Sequence, residues 1–512
     1  MLKSGAYCYA VSGWKRDETN REWVREIKSA GKDWRANLAP PPIVLELRQA
    51  ILDNTTVKVA EVRHHDQLCN VLLRLCSCAD EACKGVGCTV SHDDVDHFLE
   101  EASHLLQASA KSFDFSTLGK LIDHSVVRVL PKLHTPQSGI TIRSLTHHLA
   151  LCPAGDVRAK WAERPRLEPA SERHCINLLL APWPRWVNPK HFRQVQPPEA
   201  ELLNMPKHFG FFEYKPPDRN PKDIRLQLET MLYNATQVVD KIDGVVFPEI
   251  ALTVEQYREV SALLMPEKIF LICGVRESPA SSGAAGKNYL RFDIPVDIAP
   301  STGAGPTQAG AYFSHAQDKH HRWRLDKRQI VQYGLGSCLD IEGNWWEHIS
   351  IDKRELYFVV LDEWLTVCAL ICEDLARQDP VSEIVRAVGP NLVIALLMDG
   401  PQLAQRWPAR YATVLADDPG SSVLTLTSVG MSQLSRPPSI QGRSRAMALW
   451  KDAKTGEAVT INLPPNEDGV ILSLSRERET EWAADGRDDG GSSGYPTLSG
   501  IHFVNCGSKT TD

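Results

Sequence analysis

This sequence lacks long apolar runs, and its cysteines are few for its length. The 13 cysteines among 512 residues are too sparse for a disulfide scaffold, so we expect reduced thiols and a cytoplasmic protein. Apolar runs such as residues 392–398 are far shorter than the roughly 20 residues that cross a bilayer. Residues 1–23 lack the apolar core of a secretory signal. These absences predict an intracellular protein without a membrane segment.

A strong excess of one charge is also absent. The 57 lysines and arginines and the 64 aspartates and glutamates give a formal net charge of −7. The chain therefore lacks the overall basic charge of a nucleic-acid coat protein, and we do not expect a nucleic-acid partner. Hydrophobic residues at 43% and charged residues at 24% are typical of a globular protein, and the length predicts two or three domains of about 150 residues.

The sequence divides into three regions that differ in residue pattern and composition. Residues 1–170 have a mostly helical pattern, clearest at residues 93–113, where apolar side chains recur at helical spacing after the potential cap Ser91. The proline-rich, charged residues 153–169 predict a boundary. We expect a second domain over residues 174–475 and a partly flexible tail over residues 476–512, because residues 485–494 are rich in glycine, serine and aspartate.

Short apolar runs alternate with helical patterns throughout the second region. Runs of about four to seven apolar residues are typical of strands buried on both faces, although a buried helical segment gives the same pattern. Between the first two runs, residues 223–239 carry an apolar face at helical spacing. The alternation predicts an α/β domain. The seven predicted strands are residues 176–181, 244–247, 269–275, 356–361, 367–372, 392–398 and 422–426.

Glu249 follows the predicted strand at residues 244–247, within the sequence Val-Val-Phe-Pro-Glu. In α/β folds the carboxyl ends of the strands are where functional sites assemble. A glutamate against an apolar floor has a raised pKa, which suits a general base. The alternative is an ordinary acidic residue at a helix start.

A basic segment, Gln-Asp-Lys-His-His-Arg-Trp-Arg-Leu-Asp-Lys, covers residues 317–327. Such a segment is usually a solvated surface or a phosphate-binding patch, and it offers a weak case for nucleic-acid binding. The more specific use is a lysine such as Lys319 beside a developing oxyanion. The nucleic-acid interpretation requires exposure of Lys319, whereas the catalytic one requires its burial.

Cys372 ends the predicted strand at residues 367–372 and is followed by two acids, Glu373 and Asp374. A thiol on a strand-to-helix turn can be activated, and the following backbone N–H groups can hold an oxyanion. The alternative is a buried structural cysteine, which is what we expect of Cys368 four residues earlier.

The ordered trio of Phe-Pro-Glu, a lysine in a basic strand, and Ile-Cys-Glu-Asp resembles the nitrilase (carbon–nitrogen hydrolase) superfamily over residues 174–475. The resemblance implies a four-layer α-β-β-α sandwich, here preceded by a mostly helical N-terminal domain. It also implies that Glu249 is the general base, Lys319 the cation beside the tetrahedral intermediate and Cys372 the nucleophile. The backbone N–H of Glu373 would help to hold the oxyanion. No metal or organic cofactor is implied.

Two details of the resemblance stay open at this level. Lys319, followed by His320 and His321, fits the short lysine motif of the family better than Lys327 does. A second glutamate between the lysine and the cysteine is common in the family, and either Glu342 or Glu347 could be its counterpart.

The substrate implied by the resemblance is a small amide or nitrile, and a homo-oligomer is implied too. The loop Met398, Asp399, Gly400, Pro401 and Gln402 corresponds to a pocket-lining loop of the family, although a plain Asp-Gly-Pro turn explains it equally well. The region from residue 174 onwards is also similar to the nitrilase-like domains attached to reverse transcriptases in bacterial antiviral systems. The alternative to an enzyme is therefore an interaction or sensor module.

The N-terminal region contains a cluster of possible metal ligands. Cys76, Cys78, Cys83, Cys88 and His92 are close in sequence, but their spacing differs from the paired Cys-x2-Cys of zinc ribbons. Reduced cysteines beside a helix are the simpler interpretation. We assign no metal here, and a protein partner for residues 1–170 stays open.

Overall fold

The structure is a computed structural model. It describes residues 4–6, 18–87, 117–119, 122–123, 126–133, 142–153, 155–163, 174–196, 206, 208–279, 281, 284–295, 312–436 and 442–507. The helix predicted at residues 93–113 and its cap Ser91 lie outside these ranges, as do Cys88 and His92. Within the described ranges, no helix is both long and apolar enough to span a bilayer.

The described elements mix helices and strands throughout the chain. The helices are α1 (Glu18–Asn37), α2 (Pro42–Leu52), α3 (Asp66–Ala82), α4 (Pro221–Ala235), α5 (Val254–Leu264), α6 (Lys327–Gln332), α7 (Glu373–Ala376), α8 (Glu383–Val388), α9 (Trp407–Asp417) and α10 (Val429–Leu434). The strands are β1 (Val127–Pro131), β2 (Leu149–Pro153), β3 (Arg158–Glu163), β4 (Cys175–Leu180), β5 (Phe192–Val195), β6 (Phe209–Tyr214), β7 (Gly244–Val246), β8 (Leu252–Thr253), β9 (Phe270–Glu277), β10 (Lys287–Pro295), β11 (Tyr312–Asp318), β12 (Arg324–Leu325), β13 (Asn344–Glu347), β14 (Glu355–Asp362), β15 (Leu365–Ile371), β16 (Leu392–Leu397), β17 (Ser422–Thr427), β18 (Ala446–Lys451), β19 (Ala458–Asn462), β20 (Gly469–Glu479) and β21 (Ser493–Val504).

Two large sheets organise the molecule. The first has the strand order β11-β10-β9-β7-β4-β20-β21, with β8 paired to β9, and the second has the order β19-β18-β17-β16-β15-β14-β3. A four-stranded sheet (β12-β13-β6-β5) and the pair β1-β2 complete the described sheets.

The centre of each large sheet is parallel and mostly buried, which explains why the sequence predicted these strands well. In the second sheet β15, β16 and β17 run parallel, and every residue of the three strands is buried. A strand covered on both faces is apolar almost throughout, so it stands out in the sequence. All seven predicted strands are confirmed as β4, β7, β9, β14, β15, β16 and β17, and the predicted helix at residues 223–239 is α4.

Side chains alternate between two apolar layers along the first sheet. Leu178 and Leu180 of β4 belong to a core cluster that also contains the second sheet, so the two sheets pack face to face. Leu179, between them, belongs to a separate cluster with Leu228 of α4 and Val260 of α5. Helices therefore cover the outer face of the first sheet. The fold is a mixed α/β fold with several sheets.

The predicted boundaries need correction. Strand β3, placed by the sequence in the N-terminal region, pairs in parallel with β14 and extends the second sheet. Strand β21, placed in the tail, pairs with β20 in the first sheet along its full length. Among the described residues of this region, α1, α2 and α3 form the helical part, and β1, β2 and β3 follow them.

The expectation of flexibility at residues 485–494 is also wrong. Asp485 and Arg487 are buried there, and Arg487 Nε donates to Asp485 Oδ2 at 2.7 Å. Arg487 also pairs with Asp80 and Glu81 of α3. The glycine-rich composition was misleading because two charged side chains of this segment, Asp485 and Arg487, are paired in the interior.

Candidate active site

Glu249 lies in a strained turn at the end of β7. The next residue, Ile250, has φ of 47°, a left-handed conformation that is rare for a β-branched residue. The turn is held against β9, where the N–H of Gly274 donates to Pro248 O at 3.2 Å. A Cβ on Gly274 would lie 2.5 Å from Glu249 Cα, so only glycine allows this approach. The strained backbone fixes the direction of the Glu249 side chain.

Lys319 directly follows β11 and is buried, with 1% of its side chain exposed. Its backbone N–H donates to Asn288 O at 3.0 Å, which fixes the residue against β10. Lys319 Nζ donates to Glu249 Oε1 at 2.8 Å and to Glu347 Oε2 at 2.5 Å. The structure thus brings Glu249 and Lys319 together, 70 residues apart in sequence.

The sequence left open whether Glu342 or Glu347 is the second glutamate, and Glu347 is the one that lies beside Lys319. Asn288 Nδ2 donates to Glu249 Oε1 and to Glu347 Oε1, each at 2.8 Å, and so bridges the two carboxylates. Glu342 instead pairs with Lys327 on the surface, where both side chains are more than 60% exposed. Lys327 is therefore excluded as the buried cation. Sequence reasoning did not find Asn288, because no motif surrounds it.

Cys372 forms a sharp turn between β15 and α7. Its φ and ψ are 45° and −105°, and its N–H donates to Leu396 O of the neighbouring strand at 2.9 Å. Such strain in a non-glycine residue is found mostly where a side chain has a functional position. The N–H groups of Glu373 and Asp374 at the start of α7 have no intrahelical acceptor, whereas that of Leu375 donates to Cys372 O at 3.0 Å. Cys372 itself is 2% exposed.

Burial and charge set the protonation states of these three side chains. Burial and the nearby Glu249 raise the pKa of Cys372 well above its usual value, against the opposing effect of Lys319, so the resting thiol is neutral. Burial also raises the pKa of Glu249, and Lys319 counteracts this shift. Burial alone would lower the pKa of Lys319, but Glu249 and Glu347 raise it well above its usual value. Lys319 is therefore an ammonium ion.

Two polar atoms of the cluster are available for chemistry. Glu249 Oε1 accepts two hydrogen bonds, whereas the buried Oε2 has no partner among the described residues. Lys319 has three N–H bonds and donates two of them to carboxylates, which leaves one. The cluster thus combines an unused acceptor with an unused charged donor, and both act electrostatically on Cys372.

Asp374 connects the lysine strand to the cysteine turn. Its carboxylate accepts the backbone N–H of His320 at 3.1 Å and contacts His321 Nδ1 at 2.8 Å. Lys319 and His320 are each 1% exposed. The interpretation of residues 317–327 as an exposed nucleic-acid patch is therefore wrong, because its first basic residues lie in the interior.

The predicted pocket loop, residues 398–402, follows β16 and packs mostly inwards. Met398 is part of an apolar cluster with Trp323 and Tyr333. Gln402 is satisfied internally, since its Nε2 donates to Gly400 O and its Oε1 accepts from Thr425, each at 2.8 Å. The carbonyl of Pro401 accepts Arg406 Nη1 at 2.9 Å.

Asp399 differs from the rest of this loop. Its Oδ1 accepts a short hydrogen bond from the hydroxyl of Tyr333 and a second one from Arg406 Nη2 at 3.0 Å. Its Oδ2 is buried without a partner among the described residues. Of the five predicted pocket residues, Asp399 is the one whose side chain offers a buried, unused acceptor.

The cysteine cluster of the N-terminal region does not assemble a metal site within the part that is described. No group of three or more His, Cys, Asp or Glu side chains there could hold a metal ion. Burial is the main cause that raises the pKa of Cys76 and of Cys83 to about 12, and that of Cys78 to about 11. These thiols are therefore neutral.

Comparisons with known proteins find likeness in structure but not in sequence. No protein-family model and no curated protein matches the sequence. Nit3 of Saccharomyces cerevisiae, a member of branch 10 of the nitrilase superfamily, is 12% identical, with 60% of this chain and 93% of Nit3 covered and a TM-score of 0.34. An amidase from Nesterenkonia sp. is 10% identical, with 62% and 96% covered and a TM-score of 0.34. The carbon–nitrogen hydrolase superfamily protein XC1258 of Xanthomonas campestris is 13% identical, with 59% and 90% covered and a TM-score of 0.31. Two of these three proteins, Nit3 and XC1258, are described as members of the nitrilase or carbon–nitrogen hydrolase superfamily.

Proposed function

We propose that this protein is a thiol-dependent hydrolase of non-peptide carbon–nitrogen bonds in a small amide or nitrile. The observation that carries the proposal is the pairing of Glu249 with Lys319 in the interior, with Glu249 Oε2 unused and a third N–H of Lys319 available. The strained turn at Cys372 supports it, because a nucleophile needs a fixed direction.

The first half-reaction would form a thioester. Glu249 Oε2 takes the proton of the Cys372 thiol, and the sulfur attacks the carbonyl carbon of an amide while the C=O electron pair moves onto the oxygen. Lys319 and the backbone N–H of Glu373 hold this oxyanion. As the tetrahedral intermediate collapses, the C–N bond breaks and the proton on Glu249 passes to the leaving nitrogen.

The second half-reaction would release the acid. Glu249, again a carboxylate, removes a proton from water, and the oxygen attacks the thioester carbon beside the same oxyanion donors. The C–S bond then breaks and the proton returns to sulfur, which restores the neutral thiol. Its raised pKa makes the thiol the stable resting form. The same thioester could pass to an amine instead of to water, which would make the enzyme an acyl transferase.

The architecture of the nitrilase superfamily is part of the proposal. We propose that the two large sheets with their outer helices form its four-layer α-β-β-α sandwich. The alternation of Leu178 and Leu179 between two apolar layers supports this arrangement, with α4 and α5 outside the first sheet. The contacts of α9 with β17 support a helical layer on the second sheet. Homo-oligomerisation and a protein partner for residues 1–170 remain proposals as well.

The burial of Cys372 favours a second candidate function. A cysteine that is 2% exposed and has a raised pKa resembles a structural cysteine. The domain would then be a nitrilase-like interaction or sensor module with little or no hydrolase activity, for example in a bacterial antiviral system.

Alkylation of Cys372 separates the two functions. The rate of its reaction with iodoacetamide should be measured across pH by peptide mass spectrometry, with Cys368 as the internal control because it is buried in β15 and burial is the cause that raises its pKa. We expect Cys372 to react faster than Cys368, and Glu249→Gln to slow it about 100-fold, a typical loss for a general base. Equal inertness of both cysteines, unchanged by Glu249→Gln or Lys319→Ala, would eliminate the hydrolase in favour of the module.

A further inference from the structure

We propose that the substrate of this site carries an ammonium or another N–H donor group close to its scissile bond, and that Asp399 and Glu373 recognise it. The inference rests on the proposed function and specifies its substrate class. An amide or nitrile with a carboxylate at the same place would be rejected.

The topology places Asp399 next to the nucleophile. Strands β15 and β16 are parallel neighbours, with Ile371 opposite Leu396. Cys372 follows the first strand and donates its N–H to Leu396 O, and Asp399 follows Leu396 by three residues. The carboxyl ends of adjacent parallel strands meet at one edge of the sheet. Asp399 and Cys372 therefore lie at the same edge of the second sheet, and the charge of Asp399 acts on the Cys372 thiol.

The carboxylate of Asp399 has one used oxygen and one unused oxygen. Both partners of Asp399, the hydroxyl of Tyr333 and Arg406 Nη2, bind Oδ1. Oδ2 has no partner among the described residues, and water cannot readily reach it because Asp399 is only 5% exposed. Buried carboxylate oxygens are rarely left unbonded, because their lost hydration is not replaced. A donor from a bound molecule would complete the site.

The charges around the thiol favour the same class of molecule. Glu249, Glu373 and Asp399 all act on Cys372 as negative charges, whereas Lys319 is the positive charge that opposes them there. Arg377 pairs with Glu373 at 3.3 Å, but its side chain is 49% exposed, so solvent screens it. Arg406 already donates hydrogen bonds to Asp399 and to the carbonyl of Pro401. An anionic substrate would meet an excess of like charge.

Thiol reagents of different charge test the inference without knowledge of the substrate. Methyl, aminoethyl and sulfonatoethyl methanethiosulfonate are neutral, cationic and anionic probes of similar size. Their rates at Cys372 should be divided by their rates at a free cysteine peptide. We expect the corrected cationic-to-anionic ratio to be at least about tenfold, as electrostatic complementarity of this kind produces.

Variants assign the effect to the named acids. Asp399→Asn and Glu373→Gln should each reduce the corrected ratio about threefold or more, since each removes one negative charge. Glu373→Gln keeps the test valid if Asp399→Asn does not fold. Glu342→Gln is the matched control, because Glu342 is exposed and pairs with Lys327 away from the site.

The outcomes distinguish this inference from the proposed function. If Cys372 reacts with the neutral reagent but has the charge preference of a free thiol, the inferred substrate class is wrong, while the proposed hydrolase function still stands. A Cys372 that resists even the neutral reagent overturns both. A ratio that Glu342→Gln lowers as much as Glu373→Gln does would show a general charge effect and would also overturn the inference.

Discussion

Two buried ionic clusters among the described residues, one around Asp80 and one around Lys319, differ in whether both oxygens of the central carboxylate accept hydrogen bonds. Around Asp80, Oδ1 accepts the N–H groups of His148 and Leu149, and Oδ2 accepts that of His147 and contacts Arg487 at 3.0 Å. Around Lys319, by contrast, Glu249 Oε2 has no described partner. Both clusters carry more acids than cations, so charge alone does not separate them.

The pKa values of the two carboxylates move in opposite directions. Burial would raise the pKa of Asp80, but Arg487 and the backbone donors lower it far below its usual value. Burial raises the pKa of Glu249, and its partners do not reverse the shift. A saturated carboxylate stabilises the fold, whereas an unsaturated one keeps an affinity for protons that a general base needs.

The largest effect on stability should come from replacing Arg487, the cation of the Asp80 cluster. Arg487→Met leaves Asp80 and Asp485 buried without their cation, and we expect the free energy of unfolding to fall by about 3–5 kcal/mol. Urea denaturation followed by circular dichroism measures the change. The matched control is Arg478→Met at an exposed position of β20, which should change stability by less than about 0.5 kcal/mol. Similar losses in both variants would contradict a special role of the Asp80 cluster.

The next effect concerns the second glutamate. Glu347 raises the pKa of Glu249 by charge repulsion, so Glu347→Gln should make Glu249 a weaker base. We expect alkylation of Cys372 by iodoacetamide at pH 7 to slow by about 3- to 10-fold. Glu342→Gln, five residues earlier and exposed, should leave the rate unchanged. If the two variants behave alike, Glu347 has no part in the site.

Local signals explain what the sequence predicted. A parallel strand buried on both faces is apolar over its whole length, so β15 and β16 were recognisable, and so were the residues at their ends. Cys372 follows β15 directly, and Glu249 lies three residues after the end of β7. Their identification therefore needed only short stretches of sequence.

Long-range pairing explains what the sequence did not predict. Strand β3 joins β14 across almost 200 residues, and no local pattern records this partner. The choice of Glu347 over Glu342 depends on contacts with Lys319 and Asn288 that are likewise non-local. Arg487 stands in a glycine-rich segment and is buried only because α3 supplies Asp80. Sequence periodicity identifies elements, whereas these contacts depend on how the elements are packed.

The smallest expected effects concern the pH dependence of stability, which should have opposite signs for Asp80 and Glu249. The lowered folded-state pKa of Asp80 gives stability that is present above its unfolded pKa of about 3.9 and is lost as the pH falls below it. The raised folded-state pKa of Glu249 acts oppositely: its stability is present below the unfolded pKa of about 4.3 and is lost as the pH rises through the folded pKa. Each slope is at most about 1.4 kcal/mol per pH unit for one proton.

Urea midpoints between pH 3 and pH 8 measure both slopes in single variants. Asp80→Asn should flatten the loss of stability on the acidic side, because the group that must be protonated there is gone. Glu249→Gln should match wild type near pH 3, where Glu249 is protonated in both states, and should be more stable than wild type above the folded pKa of Glu249. A Glu249→Gln profile that loses stability on the acidic side, as expected from a saturated carboxylate, would mean that Glu249 is a structural ion-pair partner. Glu249 would then lack the raised proton affinity on which its role as a base depends.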